Sequence, residues 1–140
     1  MTRIVVTGGR NYGFVPPHTP LDAFRDAKDR SDLERARFEQ IMAAAVERLK
    51  LTDLACGRCR TGADELAVRW AKKHLPKDRF TGFMANWQQF GNAAGPERNG
   101  RMLREFRPDK VLAFPGGAGT ADCVRQAEAL GIEVIRIDWK

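Results

Sequence analysis

Lys110-Val111-Leu112-Ala113-Phe114-Pro115-Gly116-Gly117-Ala118-Gly119-Thr120 is the stretch on which the fold turns. Its first half is a continuous apolar run, as expected of a strand buried on both faces of a parallel sheet. The glycines that follow let the chain turn sharply and remove side chains that would hold an anion away from the backbone amides. A helix carrying Val124, Ala127 and Leu130 comes next, with Gly131 at its end. Its unpaired N–H groups and dipole would add to an anion site formed by the turn. Thr120 can cap that helix or donate its hydroxyl to a phosphate oxygen.

Working outward, the same strand–turn–helix grammar recurs. Arg3-Ile4-Val5-Val6-Thr7 is a β-branched run that ends at Gly8-Gly9. Phe38, Ile41, Met42, Ala45, Val46 and Leu49 fall at helical spacing and predict an amphipathic helix over 32–50. Thr52 to Cys56 reads as a second strand, with a turn from Gly57 to Gly62. Ala63, Leu66, Ala67, Trp70 and Ala71 then mark the stripe of a second helix. A third strand falls near 80–84, weakened by Gly82. Residues 86–95 read as a loop, Pro96 as the opening of a third helix, and Ile132 to Ile137 as the last strand.

Residues 11–37 are the irregular part. Gly13, Pro16, Pro17 and Pro20 break regular structure, and Thr19-Pro20 is placed to start a separate short helix over 20–28. A loop or helical insertion is expected there.

Strands alternating with helices of ten or more residues mean βαβ units and a parallel sheet covered on both faces. At 140 residues the chain suits one core. The expected fold is a single α/β domain, 1–140: three-layer and Rossmann-like, with a mostly parallel sheet of about five strands.

In such sheets, ligands lie beyond the carboxyl ends of the strands, where the strand order reverses. Three glycine-rich turns point there, so the expected ligand-binding residues are Gly8, Gly9, Arg10, Gly57, Thr61, Gly62, Asp64, Pro115, Gly116, Gly117, Gly119 and Thr120. Arg10 can act as a bidentate phosphate donor, with Arg58 and Arg60 nearby. Arg98 and Asn99 follow Gly95-Pro96 at a helix start facing the same edge. Arg98 suits a phosphate and Asn99 a base or ribose, with solvated surface as the plainer reading. Asp64 either satisfies backbone donors at its helix start or holds a ribose hydroxyl. Trp87 either packs or stacks on a base.

Other chemistry finds little support. Cys56 and Cys59 form a C-x-x-C, but the only further ligands are Cys123, His18 and His74, so no metal is expected. No cofactor is expected either. There is no Ser-His-Asp set and no Walker-type lysine. Lys and Arg outnumber Asp and Glu by 24 to 18, which favours anionic partners without choosing between a nucleotide and a nucleic acid. Three cysteines cannot all pair within one chain, and no apolar run nears the ~20 residues of a membrane span. Met1 to Val6 run straight into a strand, with no signal sequence ahead of it. These features make a cytoplasmic protein without membrane contact the expectation.

Gly8-Gly9-Arg10, Cys59-Arg60-Thr61-Gly62-Ala63-Asp64, Trp87, Ala94 to Asn99, Met102 and Phe114 to Asp122 stand in an order that resembles YspA-type members of the SLOG superfamily. That superfamily gathers Rossmann-like domains related to the DNA-processing protein Smf/DprA and to the LOG phosphoribohydrolases. The resemblance covers nearly the whole chain apart from residues 11–37. It implies binding of a nucleotide or nucleotide-derived ligand in sensing, defence or nucleotide processing, and a homodimer or higher homo-oligomer. Two alternatives follow from it: an N-glycosidic hydrolase acting on nucleoside monophosphates, with Arg98, Asp122 and Asp64 as candidate catalytic residues, and a single-stranded DNA binder. This sequence departs from the family pattern at Gly9, often Ser, and at Cys56, often His. The LOG enzymes also carry an acid three places after the motif threonine, where Cys123 stands here. Asp122 lies one place earlier, about 100° away around the helix, which weighs against cleavage of the LOG type.

Overall fold

The computed structural model describes residues 1–138. Five strands form one sheet: β1 (Thr2–Thr7), β2 (Leu51–Gly57), β3 (Phe80–Phe83), β4 (Lys110–Ala113) and β5 (Glu133–Arg136). Their order is β3-β2-β1-β4-β5, and every neighbouring pair is parallel. The helices are α1 (Leu21–Arg48), α2 (Gly62–His74), the single turn α3 (Trp87–Phe90), α4 (Ala94–Phe106) and α5 (Ala118–Ala129). This is a single Rossmann-like α/β domain.

The period of two along each strand sorts the core into two layers. Ile4 and Val6 of β1, Leu54 and Cys56 of β2 and Leu112 of β4 face Phe38, Met42 and Ala45 of α1 and Leu66, Ala67 and Trp70 of α2. Val5, Ala55 and Val111 sit in register across β2-β1-β4 and face Met102, Leu103 and Phe106 of α4 and Cys123 and Ala127 of α5. A fully buried Phe38 stabilises the fold by roughly 2–3 kcal/mol. The helical stripes of α1 and α5 run short of expectation. Val46 and Leu130 remain 44% and 55% exposed, the first in the last turn of α1 and the second at the C-cap of α5.

Residues 11–37 depart most from the sequence reading. There is no separate helix over 20–28. Pro20 sits at the N-cap of α1 with extended backbone, and the helix then runs 28 residues without interruption. Thr19 Oγ1 donates to Pro16 O (2.6 Å) instead of capping. Nothing between 28 and 32 breaks a helix, and the pairs Lys28–Asp32 (2.6 Å) and Arg30–Glu34 (2.8 Å) bridge the expected gap. The preceding loop is latched to this helix. Gly13 N donates to Glu34 Oε1 (2.8 Å), and Arg35 Nε donates to Gly13 O (2.6 Å). Tyr12 is buried against Phe114, with ring centroids 5.3 Å apart.

Two further boundaries differ. Residues 86–95 are not a plain loop: α3 starts with Asn86 Oδ1 accepting from Gln89 N (3.0 Å), an Asx-type cap. The next long helix then begins at Ala94 rather than Pro96. The glycine in β3 has a packing reason. A methyl group on Gly82 would strike the aliphatic stem of Arg58, which lies across the strand.

Candidate functional site

Strand order reverses between β1 and β4, since their crossover helices leave on opposite faces of the sheet. A crevice therefore opens beyond their carboxyl ends. It holds a cavity of about 350 Å³. Thr7, Gly8, Gly9 and Arg10 line it after β1; Gly57, Cys59, Thr61 and Asp64 after β2; Gly117, Ala118, Gly119 and Thr120 after β4. Arg98, Asn99 and Met102 of α4 close the remaining side. Larger, shallower space exists elsewhere. A surface concavity of about 740 Å³ surrounds α3, but it lies away from every strand end of the switch point.

The three turns are tied together by their own backbone. Gly9 N donates to Pro115 O (2.8 Å), while Gly9 O accepts from Ala63 N (3.1 Å) and Tyr12 N (3.2 Å). Thr61 Oγ1 donates to Arg10 O (2.7 Å). Close approach demands glycine here. A methyl on Gly8 would lie 2.6 Å from Ala63 Cβ, and one on Gly9 would lie 2.8 Å from Pro115 O. Gly62 takes a positive φ of 77°, which presses its backbone against Gly9 and Arg10.

Gly117 and Gly119 belong to a different class. Methyl groups there would meet nothing within 4 Å. No neighbour requires glycine at either place, and both residues line the cavity. The hydrogen-bond ladder of α5 opens with Ala121 N donating to Gly117 O (3.0 Å), so the amides of Ala118, Gly119 and Thr120 have no acceptor within the helix. These donors, and the positive end of the α5 dipole, sit at the cavity wall.

Arg98 and Asp64 meet over Gly57, whose missing side chain makes room for both: a methyl there would lie 2.7 Å from Asp64 Oδ2 and would strike the Arg98 guanidinium. Arg98 Nε donates to Asn99 Oδ1 (3.0 Å), and Arg98 Nη1 donates to Phe83 O (3.4 Å). Asp64 Oδ2 accepts from Cys59 N (3.3 Å). Burial pushes the Asp64 carboxyl above its ordinary pKa, with the Arg98 charge and the Cys59 amide opposing that shift. Asp64 thus satisfies a backbone donor in the turn before its helix, at Cys59, and lines the cavity.

Of the residues expected at the site, Gly62, Pro115, Gly116 and Trp87 lie outside the cavity. The first three build the turns behind it: a methyl on Gly116 would lie 2.6 Å from Gly9 N. Trp87 lies against a neighbouring cavity. Asp122 also lies outside. It accepts from Asn99 Nδ2 (3.0 Å), Gln126 Nε2 (2.8 Å) and Arg125 Nη2 (3.0 Å), a network that clamps α4 to α5. Asn99 Nδ2 also donates to Gly119 O (3.2 Å), so the same clamp holds the start of α5. Thr7, Cys59, Ala118 and Met102 line the cavity without having been singled out as ligand-binding residues. Met102, four places after Arg98, was within reach of a helical-spacing argument.

The cysteines are not arranged as a working pair. Cys56 is buried, with Sγ donating to Asp64 O (3.6 Å), whereas Cys59 lies in the turn. Burial raises the Cys56 thiol pKa well above its ordinary value. It pushes Cys123 up to about 11, despite the hydrogen bond to the Thr7 side chain. Among the described residues no group of three or more His, Cys, Asp or Glu side chains is placed to hold a metal ion. None of the helices is long and apolar enough to cross a membrane, again among the described residues.

Fold and crevice together define a Rossmann-like domain whose switch point is built from three converging glycine turns. Scans against protein-family models, curated proteins and solved structures find no match to the chain.

Proposed function

We propose that this domain binds a nucleotide or nucleotide-derived ligand, seating its phosphate on the first turn of α5 at the sheet's switch point. The observation that carries this reading is the pair Gly117 and Gly119. Glycine inside a helical turn costs stability relative to alanine, and at Gly119 no contact offsets that cost. Open space beside three unpaired amides suits a phosphate, which needs close approach to N–H donors. Arg98 is positioned to neutralise it, and Asp64 and Asn99 offer acceptors to ribose hydroxyls. The resemblance to the SLOG superfamily leads to the same ligand class and to a role in sensing, defence or nucleotide processing.

Binding without bond cleavage is the preferred form of this reading. Asp122, the acid nearest the position used by LOG enzymes, is engaged by three donors and does not line the cavity. Asp64 is the carboxylate that does. The test is a thermal-shift and calorimetric titration with AMP, alongside chromatography for released adenine. Saturable stabilisation with no adenine supports a binding module. Adenine release that disappears in Asp64→Asn would replace it with a glycosidase. The proposal is overturned if AMP and other nucleoside monophosphates bring no stabilisation at millimolar concentration.

A further inference from the structure

Next to the phosphate cradle lies a second cavity of about 360 Å³, bounded by Arg10, Arg58, Arg60 and Arg98 together with Met84 and Trp87. The two cavities adjoin, and Arg10, Cys59 and Arg98 line both halves of the resulting trough. No carboxylate lines the second cavity. The neighbouring cavities differ in this respect: Glu97 lines the concavity around α3, Asp64 the phosphate cradle and Glu128 the space beside α5. Among the described residues, the side chains of Arg10, Arg58 and Arg60 form no ion pair and no hydrogen bond with the protein. Like charges gathered without counter-charge repel one another, and an arriving anion relieves that repulsion.

Strand β3 holds this arrangement in place. Gly82 leaves room for the stem of Arg58, and Phe83 O receives Arg98 Nη1 (3.4 Å). Trp87 is 56% exposed, with one edge of its ring over Gly95, so a ring face is available beside the arginines.

We propose that the trough takes a dinucleotide: a small ligand with two phosphoryl groups, one at the first turn of α5 and the second among Arg10, Arg58 and Arg60, with a base against Trp87. This rests on the nucleotide reading above and adds the ligand's size and second charge. Guanidinium groups match phosphate oxygens in bidentate geometry, and a tryptophan face accepts any base. Loss of one charge-assisted contact weakens binding by about tenfold or more.

The experiment titrates the full chain by calorimetry with AMP, with the 5′-phosphorylated dinucleotide pApA and with a ten-nucleotide single-stranded DNA. The expected result is that pApA binds at least tenfold more tightly than AMP. In the Arg58→Ser, Arg60→Ser double variant that gain disappears, while AMP affinity stays within twofold. Both side chains are exposed, so the fold is retained, and an unchanged melting temperature checks this. Equal affinity for AMP and pApA in the unaltered chain overturns the second subsite and leaves the phosphate cradle standing. Absence of binding by all three probes overturns the cradle as well. DNA binding more than tenfold tighter than pApA overturns the dinucleotide in favour of a strand.

Discussion

Replacing Gly119 with alanine separates a glycine kept for the fold from one kept for a ligand. A methyl at this position meets nothing within 4 Å, so it introduces no clash. Alanine is a better helix former than glycine, by up to about 1 kcal/mol in a helix interior. Gly119 lies in the first turn of α5, where about 0.5 kcal/mol is the fitting figure. A domain of this size unfolds with an entropy of roughly 0.3 kcal/mol per degree, so the melting temperature should rise by about 2 °C. The methyl would also stand where the phosphate must approach the amides. AMP at one hundred times its Kd should stabilise the unaltered chain by about 2.7 kcal/mol, or roughly 9 °C. A tenfold loss of affinity reduces that shift at the same concentration to about 5 °C. The signature is therefore a more stable free protein with a weaker response to ligand, read by differential scanning calorimetry. Gly8→Ala is the control: its methyl would press on Ala63 Cβ at 2.6 Å and Phe114 Cβ at 2.9 Å, and should cost about 1–3 kcal/mol. A Gly119→Ala protein that responds fully to AMP refutes the placement of the phosphate.

Three more outcomes are expected. Asp64→Asn should raise the melting temperature near neutral pH. The folded-state pKa of Asp64 is raised, so its contribution to stability is present below the ordinary value and is lost as pH rises through the raised one. The gain over the unaltered chain should therefore shrink on acidification toward about pH 4, and a constant gain would contradict this. Asn99→Ala should cost about 2 kcal/mol, because it leaves Asp122 and Gly119 O short of a donor in a largely buried clamp, and it should also weaken AMP. Thiol labelling of the native protein at mildly alkaline pH should modify Cys59 and spare Cys56 and Cys123, which are buried and have raised pKa values; mass spectrometry reads the order, and early loss of Cys123 would contradict its burial.

What was legible in the sequence was local. The apolar run at Lys110–Ala113 and the β-branched residues of β1 announced strands, and each turn that supplies the crevice follows its strand directly. The boundaries of α1 were not legible from proline alone. Proline is favoured at the first helical position but here stands one place earlier, at the N-cap, and the helix persists because charged side chains four apart support it where no breaker intervenes. Two partners of Asp122, Arg125 and Gln126, stand three and four places on along α5 and are local; the third, Asn99, depends on how α4 lies beside α5, which no local pattern encodes. The same holds for the arginine trough. Arg58 and Arg98 are forty residues apart, and they meet only because β3 runs beneath one and offers a carbonyl to the other.

The Gly9 peptide, bonded to Pro115, Tyr12 and Ala63, has a kinetic consequence. The turns after β1, β2 and β4 are joined through one residue, so opening the rim at Gly9 should require parting all three. Hydrogen exchange at the Tyr12 and Ala63 amides should then follow global unfolding rather than local fraying. If the proposed nucleotide binds at this rim, little ordering entropy is spent on it, and its association should be fast and governed by charge.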